Sequence, residues 1–380
     1  MKILFITDLY PIRKAEKNTP LTLHNFVFEW IKQGHKVEVI KPNFLFNSFL
    51  RGKPFYTTGF YDYEGVRIFN ANYFTPFLFN FLDKIPNEIK FADYDVVIAH
   101  MPSGIIFANK MAHIMRKPLV CGVHCSDIEV LTNSLYEGYF RNQLKEAYKS
   151  SKKIACRSFV LQKKFNEILP EFAKKTFVAS SGIEVKSKKQ KAKSDDPTFC
   201  LLPFAFGSEN HSLFTSHFSL LTCANLIKRK NIDKLILAVN NLEGFKLSVI
   251  GEGIELEDLK KLQSKKVNFL GRLPHEEVLN EMQKADIFVL PSVNETFGMV
   301  YLEAMASGCI TVCTNNDGVD GIIKDSENGF LTEPTAEGIK ETLLRIKNFE
   351  HKQTLIENSI NTVKSYTAEI CAQNYLKDLI

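Results

Sequence analysis

Short apolar runs alternate with longer segments in which apolar residues recur every three or four positions. KILFIT (2–7) is followed by the helical pattern LHNFVFEWIKQ (23–33) and then by KVEVI (36–40). This alternation predicts β-α-β units and therefore a parallel sheet. Three more runs are predicted as strands of the same sheet: DVVIAH (95–100), PLVCGVH (118–124) and KKIACRS (152–158).

The alternation restarts after KSKKQKAKSDD (186–196), a segment with almost no apolar residues that is typical of a linker. Strands are then predicted over 218–225, 245–253, 267–271, 285–292 and 309–314, and helices over 231–241, 255–264 and about 299–307. We predict an N-terminal domain (1–185), a linker (186–197), a second domain (198–362) and a C-terminal helix (363–380) that packs back on the first. The predicted fold class is α/β, with two Rossmann-like, doubly wound domains that face a cleft.

Composition supports two soluble domains and shows an uneven charge. A chain of 380 residues is too long for one ordinary core, and 45% hydrophobic with 24% charged residues is typical of globular proteins. Residues 1–183 hold 25 Lys and Arg against 16 Asp and Glu, a net charge of +9, whereas 184–380 hold 23 against 27, a net charge of −4. The basic half fits an anionic partner such as a phospholipid surface or a phosphorylated acceptor, and a solvated lysine-rich surface is the alternative. It contains no recognisable nucleic-acid-binding motif, so we expect no nucleic acid.

The hydrophobic pattern predicts a cytoplasmic protein. The first apolar run (3–6) is too short for a signal peptide, and no run approaches the roughly 18 residues of a spanning helix. Two segments, 44–61 and 72–86, mix aromatic residues with Lys and Arg. Such a mixture is typical of contact with a membrane interface, here the inner face, and packing of a long insertion against the sheet is the alternative.

Several short motifs lack the spacing that their chemistry needs. Neither Cys121 and Cys125 nor Cys309 and Cys313 have the CxxC spacing of a zinc site, and most of the eight cysteines lie in apolar runs. Gly251-Glu252-Gly253 follows a strand, but Leu256 stands where a dinucleotide site needs a third glycine. Asp93-Tyr94-Asp95 is a D-x-D motif, and we interpret it as the loop that precedes a buried strand.

NETFGMVYLEAMASGC (294–309) carries two glutamates, Glu295 and Glu303, eight positions apart. In one helix, eight positions would put the two side chains on different faces. Glu295 is therefore predicted in the loop after a strand, and Glu303 on the helix that follows. The free N–H groups at such a helix start bind phosphate, and a carboxylate accepts hydrogen bonds from vicinal sugar hydroxyls. The alternative is a helix-capping acidic residue and a solvated glutamate.

The E-x7-E pattern followed by A-M-A-x-G resembles the retaining glycosyltransferases of family 4, group 1, which have the GT-B architecture. IGEGIELEDL, VNFLGRLPHEEV, ADIFVLPS and NGFLTEP are similar to family segments in family order, which covers nearly all of 218–335. The first domain is similar more loosely, in MKILFITDLYP, GHKVEV, DYDVVIAH and HCSD.

This resemblance implies site residues. Glu303 would bind the ribose, Glu295 would lie beside the transferred sugar as a catalytic residue, and the backbone from Phe297 to Val300 would hold sugar and phosphate. The family's basic pair corresponds to Lys230 and Arg229, because Asn225 stands at the usual arginine position. The complete expected donor-binding set is Glu303, Lys230, Arg229, Phe297, Gly298, Met299, Val300, Gly251 and Arg272.

His124 matches the family histidine that faces the transferred sugar, and it is the second expected catalytic residue. Asp127 is expected to cap the next helix. In the first β-α loop, PIRKAEKNTPLT (11–22) departs from the family's Gly-Gly, so no residue is assigned there.

The implied activity is retaining, metal-independent transfer of a sugar from a nucleoside-diphosphate sugar to a glycan or lipid-linked acceptor, in cell-surface polysaccharide or glycolipid synthesis. No cofactor is expected beyond the sugar nucleotide. The alternatives are a sugar-nucleotide 2-epimerase, a phosphorylase, and a catalytically silent subunit that binds sugar nucleotides. A phosphorylase would need a lysine for pyridoxal phosphate, and nothing in the sequence marks one.

Overall fold

A computed structural model describes residues 1–11, 21–44, 58–73, 89, 93–136, 138–184 and 217–379. The chain forms two compact units, one made of Met1–Ser181 with Ala368–Ile380 and the other of Gly182–Thr367. The predicted linker and most of the two aromatic, basic segments lie outside the described residues. Within the described part, no helix is long and apolar enough to cross a membrane.

The first unit contains an eight-stranded sheet. Its strands are β1 (Lys2–Thr7), β2 (Lys36–Phe44), β3 (Gly59–Tyr63), β4 (Val66–Tyr73), β5 (Val96–His100), β6 (Leu119–Val123), β7 (Lys153–Cys156) and β8 (Thr176–Val178). They lie in the order β3-β4-β2-β1-β5-β6-β7-β8, and only β3 is antiparallel to its neighbour. The pairing of β1 with both β2 and β5 places the reversal of strand order at β1, as in a doubly wound sheet.

Helices connect these strands and cover the sheet: α1 (Thr22–Lys32), α2 (Pro102–Met115), α3 (Cys125–Thr132), α4 (Tyr139–Ser150) and α5 (Phe159–Ile168). The central strands β5 and β6 are buried along their whole length, which explains their unbroken apolar sequences.

The last helix, α12 (Ala368–Lys377), belongs to this first unit. Trp30 of α1 donates its indole N–H to the carbonyl oxygen of Ala372 at 2.8 Å. The ring of Tyr375 packs edge-on against Trp30 and Phe26, with centroids 5.2 and 5.4 Å apart. The end of the chain therefore packs on α1 through aromatic rings and a hydrogen bond.

The second unit contains a parallel six-stranded sheet in the order β11-β10-β9-β12-β13-β14. Its strands are β9 (Phe218–Cys223), β10 (Phe245–Ile250), β11 (Val267–Gly271), β12 (Ile287–Leu290), β13 (Ile310–Thr314) and β14 (Phe330–Thr332). The order is that of a Rossmann-like sheet, with its reversal between β9 and β12. The helices are α6 (Ile232–Asn240), α7 (Leu256–Lys261), α8 (His275–Lys284), α9 (Met299–Ala306), α10 (Ala336–Asn348) and α11 (Lys352–Lys364). The predicted fold class of two Rossmann-like domains is confirmed.

The D-x-D motif lies at the amino end of β5, away from the carboxyl ends of the strands. Asp95 accepts the backbone N–H of Lys2 at 2.8 Å, and Tyr94 donates its hydroxyl to Glu38. The first contact fixes the start of β1 beside β5, and the second joins the loop to β2, as expected of a loop that precedes a strand.

Candidate active site

Two loops meet at the point where the second sheet reverses its strand order. One follows β9 and ends at Asn231, and the other starts at Pro291 after β12. Val293 donates its backbone N–H to the carbonyl oxygen of Arg229 at 2.8 Å, and Asn231 Nδ2 donates to that of Pro291 at 2.9 Å. Open α/β sheets bind ligands at this position.

Glu295 lies where these two loops meet. Its Oε2 accepts hydrogen bonds from Lys230 Nζ, from Arg229 Nη1 at 3.2 Å and from Ser292 Oγ at 3.0 Å. The side chains of Glu295 and Lys230 are only 15% and 10% exposed, whereas that of Arg229 is 40% exposed. The carboxylate and Lys230 are therefore shielded from water, whereas Arg229 still reaches the surface.

Burial and charge act in opposite directions on this cluster. Burial works to raise the pKa of Glu295, but Lys230, Arg229 and Ser292 stabilise the carboxylate and bring the pKa below its ordinary value. Burial lowers the pKa of Lys230, and Glu295 opposes this effect. With one carboxylate and two cations, the cluster carries a net positive charge at neutral pH.

A third loop, after β13, holds the backbone of Glu295. Asp317 Oδ1 accepts the N–H of Glu295 at 3.0 Å and that of Gly318 at 2.8 Å. Gly318 has φ of 51°, and a Cβ there would lie 3.2 Å from the Cβ of Glu295. Sequence reasoning missed both Asp317 and Ser292, although the Asp-Gly pair after the predicted strand CITVCT is a turn signal that points to Asp317.

Helix α9 begins directly after this cluster. Gly298, the residue before it, has φ of 90°, and a Cβ there would lie 2.5 Å from the Tyr301 ring and 3.2 Å from Glu295 Cγ. Tyr301 is buried and donates its hydroxyl to the carbonyl oxygen of Leu290 at 2.8 Å. The glycine thus lets the chain turn tightly into a helix start, where backbone N–H groups are suited to an anion. Phe297 belongs to the core, and Met299 and Val300 pack partly buried against it.

Glu303 lies on α9, as the sequence predicted. Its Oε1 is 3.0 Å from His275 Nε2, and its side chain is 17% exposed. Burial, with the Glu303 carboxylate, raises the pKa of Cys223 to about 12, and Lys230 opposes this shift. Both charges therefore act on one thiol at the end of β9, so Glu303 and Lys230 share this edge of the sheet.

Gly251 and Gly253 bring the turn after β10 against the loop after β9. A Cβ on Gly251 would lie 1.9 Å from the carbonyl oxygen of Ala224, and one on Gly253 would lie 2.2 Å from that of Leu226. The N–H of Leu226 also donates to the carbonyl oxygen of Glu252 at 2.8 Å. These glycines act by close packing, which explains why a third glycine is not needed at position 256.

The other two positions singled out in this sheet are exposed. Arg272 directly follows β11, the edge strand, and Asn225 lies in the loop after β9. The structure thus brings together Lys230, Arg229, Glu295 and Gly298, with Glu303 on the same edge, whereas Arg272 lies after a strand two positions away from β9.

In the first unit, His124 directly follows β6 and is the N-cap of α3. Its Nε2 lies 2.9 Å from His100 Nδ1, and His100 Nε2 lies 3.1 Å from the Tyr375 hydroxyl. Burial, together with the charge of Arg157, lowers the pKa of His124 to about 3. Burial also holds the pKa of His100 well below its ordinary value, so both rings are neutral at physiological pH.

Asp127 does not cap α3 in the way the sequence suggested. The backbone of His124 is extended, with φ of −122° and ψ of 174°, so the helix begins one residue later and Asp127 is its third residue. Asp127 Oδ2 accepts the backbone N–H of His124 at 2.9 Å, and Tyr148 donates its hydroxyl to Oδ1 at 2.9 Å. Burial raises the pKa of Asp127 to about 7, although both hydrogen bonds oppose the shift.

The geometry of the second unit suits a ligand that carries both phosphate and hydroxyl groups. Two cations and a helix start can bind anionic oxygen, and two carboxylates can accept hydrogen bonds from hydroxyl groups. Among the described residues, no three His, Cys, Asp or Glu side chains are grouped as ligands for a metal ion.

Comparison with known proteins identifies the family of both units. Residues 21–186 match the model of Glycosyltransferase Family 4, and residues 208–362 match that of Glycosyl transferases group 1. An uncharacterized glycosyltransferase of Methanocaldococcus jannaschii is 27% identical over 329 residues, which cover 83% of this chain and 85% of the relative. An alpha-monoglucosyldiacylglycerol synthase of Acholeplasma laidlawii is 29% identical over 166 residues, 41% of this chain and 42% of that protein.

Solved structures share the fold along the whole chain. The Anabaena protein HepE in complex with UDP has a TM-score of 0.69 and 18% identity, with 100% of this chain and 99% of that chain covered. Sucrose-phosphate synthase from Thermosynechococcus elongatus has a TM-score of 0.67 and 15% identity, with 99% and 97% covered. With both sheets and both family models in agreement, the chain belongs to the family 4, group 1 glycosyltransferases, and it is a glycosyltransferase with the GT-B fold.

Proposed function

We propose that this glycosyltransferase moves a sugar from a nucleoside-diphosphate sugar to a glycan or lipid-linked acceptor, with retention of configuration and without a metal ion. The observation that carries this proposal is the cluster of Glu295, Lys230 and Arg229 beside the start of α9. It joins a net positive charge to a carboxylate at the ligand-binding edge of the sheet.

Each side chain of the cluster has a separate role in this proposal. Lys230 and Arg229, with the N–H groups at the start of α9, stabilise the negative charge that develops on the leaving diphosphate. Glu303 accepts hydrogen bonds from the ribose hydroxyls, and Glu295 lies beside the transferred sugar. His124 of the first unit is the second catalytic residue of this proposal. With no side chain assigned as the nucleophile, the leaving phosphate would assist deprotonation of the acceptor hydroxyl on the same face of the sugar.

The related proteins support the substrate classes. HepE was crystallised with UDP and with UDP-glucose, which supports a sugar nucleotide as the donor. The Acholeplasma relative is named for the synthesis of a glucosyl diacylglycerol, which supports a lipid-linked acceptor. We propose that the basic first unit contacts the inner face of the membrane where such acceptors lie, in cell-surface polysaccharide or glycolipid synthesis.

Saturation-transfer NMR tests the donor proposal. The protein is incubated with UDP-, GDP- and ADP-sugars in the presence of EDTA, and the anomer first released by slow hydrolysis is followed in the same tubes. We expect one donor to bind and to release the α anomer of its sugar. First release of the β anomer would contradict retention, and a requirement for added Mg²⁺ or Mn²⁺ would contradict metal independence.

Two lysines of one turn provide a matched pair of variants. Lys230→Ala is expected to weaken donor binding at least tenfold, since it removes one charge-assisted contact to phosphate. Lys228→Ala, an exposed neighbour in the same 3-10 turn Lys228–Lys230, should bind the donor like the wild type. Equal binding by both variants would refute the proposed clamp.

The alternative functions predict other results for the wild type. Donor binding without turnover, with every acceptor tried, would favour the silent subunit. Release of an epimerised sugar would favour the epimerase.

A further inference from the structure

A histidine and a glutamate connect two helices of the second unit. His275 is the first residue of α8, and Glu303 lies within α9. His275 Nε2 is 3.0 Å from Glu303 Oε1, although the two residues are 28 positions apart along the chain. The fold thus adds a second side chain to the carboxylate that we place at the ribose.

The contact occupies only one of the two oxygens of the Glu303 carboxylate. Among the described residues, the Glu303 side chain makes no other hydrogen bond, so Oε2 has no partner in that part of the chain. The side chain is 17% exposed, and the unpartnered Oε2 reaches solvent. A carboxylate oxygen accepts up to two hydrogen bonds. Oε2 can therefore bind hydroxyl groups of a ligand while Oε1 keeps its contact with His275.

His275 holds the carboxylate from a fixed position. The helix that it begins packs on the core through Val278 and Met282, which are both buried. Pro274, whose ring restricts its φ, here −57°, precedes it. The Glu303 side chain has three rotatable bonds, and a ligand that has to fix such a chain itself binds about three- to tenfold more weakly. The histidine therefore prepares the glutamate for a ligand.

Stability does not account for this pair. The side chain of His275 is 63% exposed, and exposed ion pairs change the free energy of unfolding very little. Substitution of His275 should therefore leave the second unit folded. The contribution of the contact is then to be measured on ligand binding, where the direction of the open oxygen matters.

We propose that His275 is a positioning residue of the donor site, which holds Glu303 so that Oε2 faces the vicinal hydroxyl groups of the ribose. The pair then selects ribonucleoside diphosphate sugars and rejects 2′-deoxyribonucleoside donors such as thymidine diphosphate sugars. Without the 2′-hydroxyl, a partly buried carboxylate loses one hydrogen bond. The inference rests on the proposed role of Glu303, and His275 acts through that carboxylate alone.

Binding of nucleoside diphosphates tests this selection without any sugar transfer. Calorimetry compares whichever of UDP, GDP and ADP the wild type binds with the 2′-deoxy form of the same nucleotide. We expect the wild type to bind the ribonucleotide at least about tenfold more tightly, since one charge-assisted hydrogen bond depends on the 2′-hydroxyl. His275→Leu should weaken binding of the ribonucleotide about three- to tenfold and narrow the preference to about threefold or less.

Two further variants separate positioning from a general defect of α8. Gln carries an amide nitrogen near the place of the histidine Nε2, so His275→Gln should keep most of the preference. Lys284→Leu breaks an exposed ion pair at the other end of α8 and should bind both nucleotides like the wild type. A His275→Leu variant that keeps the wild-type preference, or that loses equal affinity for both nucleotides, would overturn the proposal.

Kinetics with the complete sugar nucleotide give a second measurement. His275→Leu should raise the donor KM about three- to tenfold with kcat unchanged, because the ribose contact is the same in the ground state and the transition state. A loss confined to kcat would contradict a role in donor binding. If Glu303→Ala kept the full preference for the ribonucleotide, the proposed role of Glu303 would fail and this inference with it. If Glu303→Ala lost the preference and His275→Leu kept it, only the inference about His275 would fail.

Discussion

Glu295 keeps its charge in a shielded position because three hydrogen-bond donors converge on one of its oxygens. A group whose pKa is depressed by folding stabilises the protein above its ordinary pKa, here 4.5, and this contribution is lost as the pH falls below that value. At neutral pH Glu295 therefore contributes its full stabilisation to the cluster. In the same state it presents two cations whose charge a diphosphate can share.

Replacement of Glu295 by Gln should change the pH dependence of unfolding. At neutral pH we expect Glu295→Gln to destabilise the second unit by about 2 kcal/mol, since Lys230 and Arg229 lose a charged acceptor. The difference from the wild type should shrink as the pH falls through 4.5 and below. Thermal unfolding followed by circular dichroism measures it, with Glu257→Gln on an exposed helical pair as the control. A difference that stays constant with pH would contradict the ion-pair explanation.

Gly298 and Gly308 lie at the two ends of α9. Substituting each by Ala distinguishes the cost of backbone strain from that of a side-chain clash. Both have positive φ, 90° and 83°, but a Cβ would meet Tyr301 and Glu295 only at Gly298. Gly308→Ala should cost about 1 kcal/mol of unfolding free energy, the usual penalty for this backbone region. Gly298→Ala should cost about 1–3 kcal/mol more and weaken donor binding. Equal losses in chemical denaturation would show that the tight turn into α9 does not depend on close approach.

At the scale of elements, α12 completes the first unit by covering α1. Trp30, the chain's single tryptophan, is fully buried and donates to the backbone of α12. Its fluorescence therefore reports on the surroundings of the indole, to which α12 contributes. Truncation after Thr367 should shift the emission maximum to the red, because the indole becomes exposed to water, whereas truncation after Lys377 should leave it in place. Unchanged emission in the shorter chain would show that other residues bury the indole.

The β3–β4 hairpin shows where periodicity fails to predict an element. Segment 44–61 mixes aromatic with basic residues and no strand is predicted there, yet Gly59–Tyr63 and Val66–Tyr73 are strands at the edge of the sheet. Their connection contains Glu64 and Gly65, with φ of 47° and 80°, a two-residue turn with positive φ. The Glu-Gly pair between alternating residues was the available signal, and the surrounding aromatics obscured it.

For the whole molecule, the second unit is continuous in sequence and the first is not. The apolar core of the second unit is formed by residues between Ile183 and Val363. We therefore expect the fragment 182–367 to fold alone and to bind a sugar nucleotide without transferring the sugar. Circular dichroism and donor titration test this, with Lys230→Ala in the same fragment as the control. A folded fragment that fails to bind a donor that the full chain binds would show that the first unit supplies needed contacts.

The sequence predicted the two sheets well because buried parallel strands are short, apolar and regularly spaced. It also placed Glu295 in a loop and Glu303 on a helix, because a glycine lies between them and the apolar pattern changes from that of a strand to that of a helix. The contacts of Asp317 and His100 could not be predicted in this way, because their partners Glu295 and His124 belong to other loops, 22 and 24 positions away along the chain. The assignment of substrate-binding roles to Glu295 and Glu303 stays a prediction.

The return of α12 to the first unit also sets an order of events on the ribosome. The nascent chain exposes α1 with Trp30 early, then all of Gly182–Thr367, and only at the end the helix that covers the indole. At the usual pace of synthesis, roughly 20 to 70 s pass between the synthesis of α1 and that of α12. During that interval the apolar face of α1 is open to chaperones, and a message that stops early yields a complete second unit attached to an unfinished first.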